Sequence, residues 1–138
     1  MNKYKNDYLG KLWVLDELKT EIQKQKQEDK VIVFANGCFD ILHVGHIRYL
    51  REAKASGDLL IVGINSDDST KILKGEGRPF VPEKERLQII SELVCVDYIL
   101  LFDELDVSTI LLNIQPHFHV KGTDYTIENV PEKDTVDS

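Results

Sequence analysis

Cysteine is scarce in this chain. Cys38 and Cys95 are the whole complement, they stand far apart, and neither belongs to a paired metal-ligand spacing. Both lie in apolar stretches and read as reduced thiols that help to fill a core. Long hydrophobic runs are also missing: none approaches the roughly 20 residues that a membrane span needs. Residues Met1 to Gly10 are polar and lack the apolar centre of a secretory signal, so a cytoplasmic location is expected. Positive charge is in deficit, with 17 Lys and Arg against 24 Asp and Glu and a net charge of −7. That balance excludes a general affinity for nucleic acid or anionic membrane. It leaves room for a small phosphorylated ligand, because a pocket can be locally positive on an acidic chain. Internal repeats and low-complexity tracts are absent, and 138 residues fit a domain of ordinary size with one substantial core.

What is present is a regular alternation of two patterns. Leu12, Leu15, Leu18 and Ile22 recur at helical spacing, and the run Gln23–Lys30 that follows is wholly polar. This divides the chain into an N-terminal helix and linker, 1–29, and a principal domain, 30–138. Val31-Ile32-Val33-Phe34-Ala35 is then a short continuous apolar run, the mark of a strand buried on both faces. Similar runs recur at Leu59–Ile64, Tyr98–Phe102 and, more weakly, Phe118–Val120.

Helical patterns lie between these runs. Ile47, Leu50 and Ala53 mark one, which Gly57 is expected to end. Leu87, Ile90 and Leu93 mark the next, opened by Pro82 with Glu83 and Glu85 in its first turn. Val107, Ile110, Leu111 and Ile114 mark the last, which Pro116 stops. The order predicts an α/β fold: a Rossmann-like open parallel sheet with helices on both faces. After Gly122 no further strand or helix is predicted. Ligands of such sheets lie beyond the carboxyl ends of the strands, which directs attention to Asn36–Val44, Asn65–Pro82 and Lys121–Tyr125.

The first of these loops carries the densest chemistry: Asn36-Gly37-Cys38-Phe39-Asp40-Ile41-Leu42-His43-Val44-Gly45-His46. Gly37 ends a strand where a phosphate could approach the backbone. His43 and His46, three apart around a helix start, project from the same side of its first turn. Gly45 between them leaves the backbone accessible, and the helix N-terminus adds N–H groups and a positive partial charge. Two imidazoles there are directional donors to phosphate oxygens, suited to phosphoryl chemistry.

The loop resembles the His-x-Gly-His signature of the cytidylyltransferase-like nucleotidyltransferase superfamily. Gly37-Cys38-Phe39-Asp40 stands where that family has Gly-x-Phe-Asp, directly after the first predicted strand. Downstream come Asn65-Ser66-Asp67, Leu73-Lys74-Gly75, Arg78-Pro79, Pro82-Glu83-Lys84-Glu85-Arg86 and Val120-Lys121-Gly122-Thr123-Asp124-Tyr125. The ordered set is similar to the adenylyltransferase domain of ADP-heptose synthesis, from about Leu12 to about Val136. This resemblance implies direct transfer of AMP from ATP to D-glycero-β-D-manno-heptose 1-phosphate, with pyrophosphate released and no covalent enzyme intermediate. It implies that His43, His46 and Lys74 act on the triphosphate. Gly37, Cys38, Phe39, Asp40, Gly45, Lys121, Gly122 and Asp124 would border the nucleotide. Arg78 and Arg86 are candidates either for the acceptor phosphate or for bracing their loop. Magnesium is expected to ride on the triphosphate rather than in a protein cage, and a homodimer is expected by analogy, with Leu93-Val94-Cys95-Val96 as its apolar motive. The family continues into another strand and a Ser/Thr-rich motif, which does not occur before Ser138. Either the sequence stops short of the natural chain, or the protein lacks that phosphate-binding element.

Blander readings stand beside these. Asp40 serves equally well as a turn residue or as a ligand contact. His117 and His119 alternate on one strand face, but no third metal ligand accompanies them. Tyr49 and Trp13 read as core or interface, and Glu83 and Glu85 as first-turn charges. Within the superfamily the rival activities are glycerol-3-phosphate cytidylyltransferase and FAD synthetase. A rival of another class is a catalytically weak nucleotide-binding module.

Overall fold

The computed structural model describes residues 7–122 and 126–129. Its sheet has six strands: β1 (Leu12–Trp13), β2 (Ile32–Gly37), β3 (Leu59–Asn65), β4 (Tyr98–Phe102), β5 (Phe118–Lys121) and β6 (Thr126–Asn129). The spatial order is β1-β4-β3-β2-β5-β6. The first five are parallel, and β6 pairs antiparallel with β5. Five α-helices connect them: α1 (Leu15–Gln27), α2 (Val44–Ala55), α3 (Asp67–Lys74), α4 (Glu83–Ser91) and α5 (Ser108–Ile114). Among the described residues no helix is long and apolar enough to cross a membrane.

The continuous apolar runs are explained by burial on both sides. Val33, Ala35, Leu60, Val62, Ile64 and Ile99 pack beneath α2 and α4, against Leu50, Ala53, Leu87 and Ile90. Their neighbours Ile32, Phe34, Ile61, Leu100 and Phe102 face α1 and α5, against Leu18, Ile22, Ile110, Leu111 and Ile114. The period of two sends alternate residues to opposite faces, so a strand without polar alternation is the stable solution only between two layers of helix. Each fully buried Ile, Leu or Phe contributes about 1.5–3 kcal/mol.

Three elements depart from the sequence reading. Leu12 and Trp13 are an edge strand in register with Ile99 and Leu100, and the helix begins only at Leu15. Val14 is extended, with φ −93° and ψ 153°, so the helical spacing of Leu12 was coincidental. Thus residues before 30 contribute a strand and a helix to the same sheet and core. Within 65–82, read as a loop, Asp67–Lys74 is helical: Ser66 caps it by accepting from the Ser69 N–H at 3.2 Å, and Gly75 ends it at φ 103°. The expectation of no strand after Gly122 is likewise corrected by β6, which forms on the edge of β5.

Chain order and spatial order together locate the crevice. From β2 the chain steps to β3 and then β4 on one side, and α5 carries it back to β5 on the other side of β2. The direction of winding reverses between β2 and β5, and the loops leaving their carboxyl ends diverge there.

Candidate active site

A cleft of about 620 Å³ opens at that reversal. It is lined by Gly37, Cys38, Phe39, His43, Gly45, His46, Lys74, Lys121 and Gly122, all singled out in the sequence. Asn36, Tyr49, Leu105, Asp106, Val107 and His119 complete it. Among these lining residues Lys74 and Lys121 are cationic and Asp106 is the carboxylate, so the cleft is locally positive on a chain of net charge −7.

The two histidines are built into the start of α2. His43 is its N-cap, extended at φ −138°, and its Nδ1 accepts from the Gly45 N–H at 3.0 Å. His46 reaches back, its Nδ1 accepting from the His43 N–H at 3.2 Å. The arrangement is a reciprocal cap in which imidazoles replace the usual hydroxyl and carboxylate. Nitrogens that accept backbone N–H groups carry no proton, so each ring holds its hydrogen on Nε2. The ring centroids are 4.2 Å apart, and His46 packs edge-on against Phe39 at 5.4 Å. Burial first, then the repulsion that protonated His43 and Lys74 would exert on a second cation, hold the His46 pKa below its ordinary value. A neutral Nε2–H donor beside a second one is the result.

Gly45 is required for this geometry. A Cβ there would lie 2.7 Å from His43 Cε1 and 3.0 Å from its Nδ1. Lys74 arrives from the last turn of α3, and Lys121 and Gly122 from the end of β5. Tyr49 stacks on Phe39 with centroids 6.4 Å apart.

Asp40, Arg78 and Arg86 do not line the cleft. Asp40 is 5% exposed and accepts from the Phe80 N–H at 2.8 Å, the Val81 N–H at 2.9 Å and Arg78 Nε at 2.5 Å. Burial alone would raise its carboxyl pKa, yet those two N–H groups and Arg78 outweigh it and hold it below the usual value. Arg78 also lies over the Phe80 ring at 4.4 Å. Of the two readings of Asp40, the geometry supports a loop clamp.

Of the two roles open to Arg86, acceptor-phosphate contact or loop brace, the geometry supports the brace. Only 1% exposed, it donates to the carbonyls of Val81 (2.9 Å), Cys38 (2.7 Å) and Asn65 (2.7 Å), and to Asp67 Oδ1 (2.7 Å). Its guanidinium braces the loops at the ends of β2 and β3. Glu83 is more than a first-turn charge: it accepts from the Asp67 N–H while its own N–H donates to Asp67 Oδ1, both at 2.8 Å. The two helix starts, α3 and α4, are thereby locked together. Asp124 lies outside the described residues.

His117 and His119 hold strands together. His117 Nδ1 accepts from the Ile32 N–H at 2.9 Å, and His119 Nε2 lies 2.8 Å from Asn36 Oδ1. Sequence reasoning passed over the β4–α5 loop, although it too leaves a strand carboxyl end and supplies Leu105, Asp106 and Val107 to the wall. It also gave no role to Asn36, and its reading of Tyr49 as core or interface holds, since Tyr49 is buried in the core, although it lines the cleft as well.

The chain is also similar to known proteins. The cytidylyltransferase-like family model matches residues 34–136. The bifunctional protein HldE of Geobacter metallireducens is 47% identical over 133 residues, covering 96% of this chain and 27% of its own. That of Aliarcobacter butzleri is 42% identical over 134 residues, covering 97% of this chain and 28% of its own. The chain therefore spans about a quarter of the length of these curated relatives. The crystal structure of the lipopolysaccharide core biosynthesis protein from Thermoplasma volcanium superposes with a TM-score of 0.59 at 41% identity, covering 65% of this chain and 72% of that one.

Proposed function

Because the chain belongs to the cytidylyltransferase-like family, we propose that it is a nucleotidyltransferase that moves AMP from ATP to D-glycero-D-manno-heptose 1-phosphate and releases pyrophosphate. The observation that carries this reading is the reciprocal histidine cap. It brings two imidazoles, each with its hydrogen on Nε2, into the lining of a locally positive cleft, beside Lys74 and a helix N-terminus. A phosphate oxygen of the acceptor attacks the α-phosphorus in line. The new P–O bond forms as the bond from the α-phosphorus to the bridging oxygen breaks, and pyrophosphate carries that electron pair away. His43 and His46 donate to the phosphate oxygens, where negative charge gathers, and Lys74 and Lys121 offset the remainder. Cys38 lines the wall and needs no nucleophilic role. Magnesium would be carried by the triphosphate and offset its charge, since two imidazoles and two lysines suit phosphate better than a hard cation.

The acceptor is inferred from the sequence motifs Leu73-Lys74-Gly75, Arg78-Pro79 and Lys121-Gly122-Thr123-Asp124-Tyr125. The relatives named HldE and the neighbour described as a lipopolysaccharide core biosynthesis protein support it. The reaction is proposed to run in the cytoplasm, in a homodimer. Val96 is buried and Leu93 and Cys95 pack against the core, so the apolar surface left for a partner at that stretch is Val94, 96% exposed. The test is pyrophosphate release with magnesium across three pairs: ATP with the heptose 1-phosphate, CTP with glycerol 3-phosphate, and ATP with FMN. The first should be much the fastest. Preference for either of the others overturns the acceptor, and no release from any pair reduces the chain to a nucleotide-binding module.

A further inference from the structure

The ladder between β2 and β5 stops at Ala35 and Val120, while on the other flank β2 stays paired with β3 to Gly37. Asn36 and Val120 therefore have backbone groups facing each other across the start of the crevice, where no further rung forms. The hydroxyl of Tyr49, reaching up from α2, lies between them. It donates to the Val120 carbonyl at 2.6 Å and accepts from the Asn36 N–H at 3.2 Å. The Tyr49 ring is buried, is stacked by Phe39 on the cleft wall, and supports Gly122, where a Cβ would come within 3.3 Å of it.

A group with one donor and one acceptor, held between two strand ends, does what a missing rung would do at a greater separation. We propose that Tyr49 is a positioning residue for the nucleotide: its hydroxyl replaces the next rung between β2 and β5 and sets the width of the crevice in which the nucleotide lies. The proposal rests on the nucleotidyltransferase reading above. Burial pushes the Tyr49 phenol up to about 12, so it remains protonated, and a donor to Val120, at any working pH.

Tyr49→Phe keeps the ring against Phe39 and Gly122 and removes the hydroxyl that bridges Asn36 and Val120. Three quantities would be compared with the parent chain: amide hydrogen exchange at Asn36 by NMR, MgATP affinity by calorimetry, and KM for each substrate. Exchange at Asn36 should accelerate by about 10-fold or more, as expected for losing a buried partner. The Kd for MgATP should rise by about 10-fold, with KM for the acceptor little changed and Val33 and Ala35 still protected. Wild-type protection at Asn36, or wild-type MgATP affinity, overturns the proposal. So does a parallel rise in both KM values with exchange accelerated throughout the sheet, which marks general loosening. Should Tyr49→Phe fail to fold, Gly122→Ala presses on the same ring and should weaken MgATP binding; unchanged affinity there also overturns it. If the parent chain binds no MgATP, the nucleotide reading falls and this role with it, while faster Asn36 exchange would still report the bridge.

Discussion

Replacing Gly45 by Ala separates the seat of the histidine pair from the stability of the helix that carries it. The added Cβ would meet His43 Cε1 at 2.7 Å and Nδ1 at 3.0 Å, distances no ring can keep. His43 is exposed, so its ring can swing aside at little cost, and in doing so it gives up the bond from the Gly45 N–H. Loss of that cap costs about 1 kcal/mol. Alanine recovers up to about 1 kcal/mol over glycine within a helix. The two nearly cancel, and the melting temperature should stay close to that of the parent. Turnover should not. With the His43 donor displaced from the phosphate site, pyrophosphate release should fall by about 10²–10³, the loss of one preorganised donor. Circular dichroism melts and the pyrophosphate assay on one preparation decide the matter. Near-parent turnover in Gly45→Ala would refute the reasoning, and so would a large stability loss with turnover retained.

Asp40→Asn should cost about 2–4 kcal/mol in urea denaturation, because an amide presents its NH2 to N–H donors that now find a carboxylate. Activity lost at unchanged stability would instead return Asp40 to the nucleotide. Folding should also weaken in mild acid. His46 is depressed below its ordinary 6.5 by burial and by His43 and Lys74, so the unfolded chain takes up the proton first. Its contribution is complete above about 6.5 and is lost as pH falls through that value towards the lowered folded one. His117, lowered by burial and by Lys26, acts in the same direction, so His46→Gln should flatten only part of the pH profile of stability. A profile identical to the parent would remove His46 from that account. Sedimentation velocity at micromolar concentration should find a dimer that Val94→Lys returns to monomer, and a monomeric parent would end the dimer reading.

Properties that a stretch of chain expresses locally were legible before any coordinates. Runs such as Leu59–Ile64 and Tyr98–Phe102 declared strands between two helical layers, because burial on both faces removes polar alternation. The glycine between His43 and His46 declared an open helix start, which the N-cap at His43 forms. Where the pattern is too short or too polar to carry a period, it misled: Leu12–Trp13 is a two-residue strand held by its partners, Thr126–Asn129 has a single large apolar residue, and Asp67–Lys74 has caps but no continuous apolar stripe. The division of labour among the charged residues was left open by the sequence. Arg86 and Asp40 could each be a ligand contact or a local brace in the sequence, and only tertiary structure brings the carbonyls of Cys38, Asn65 and Val81 to the one and the N–H groups of Phe80 and Val81 to the other. A buried charge must be satisfied by whatever surrounds it, and those surroundings come from segments up to 48 residues away. The same holds for Tyr49, whose place between Asn36 and Val120 exists because β5 returns to the far side of β2. Composition and spacing determined the kind of fold and the chemistry of its principal loop, whereas the topology of the sheet decided which of the remaining polar side chains meet the cleft and which hold it in shape.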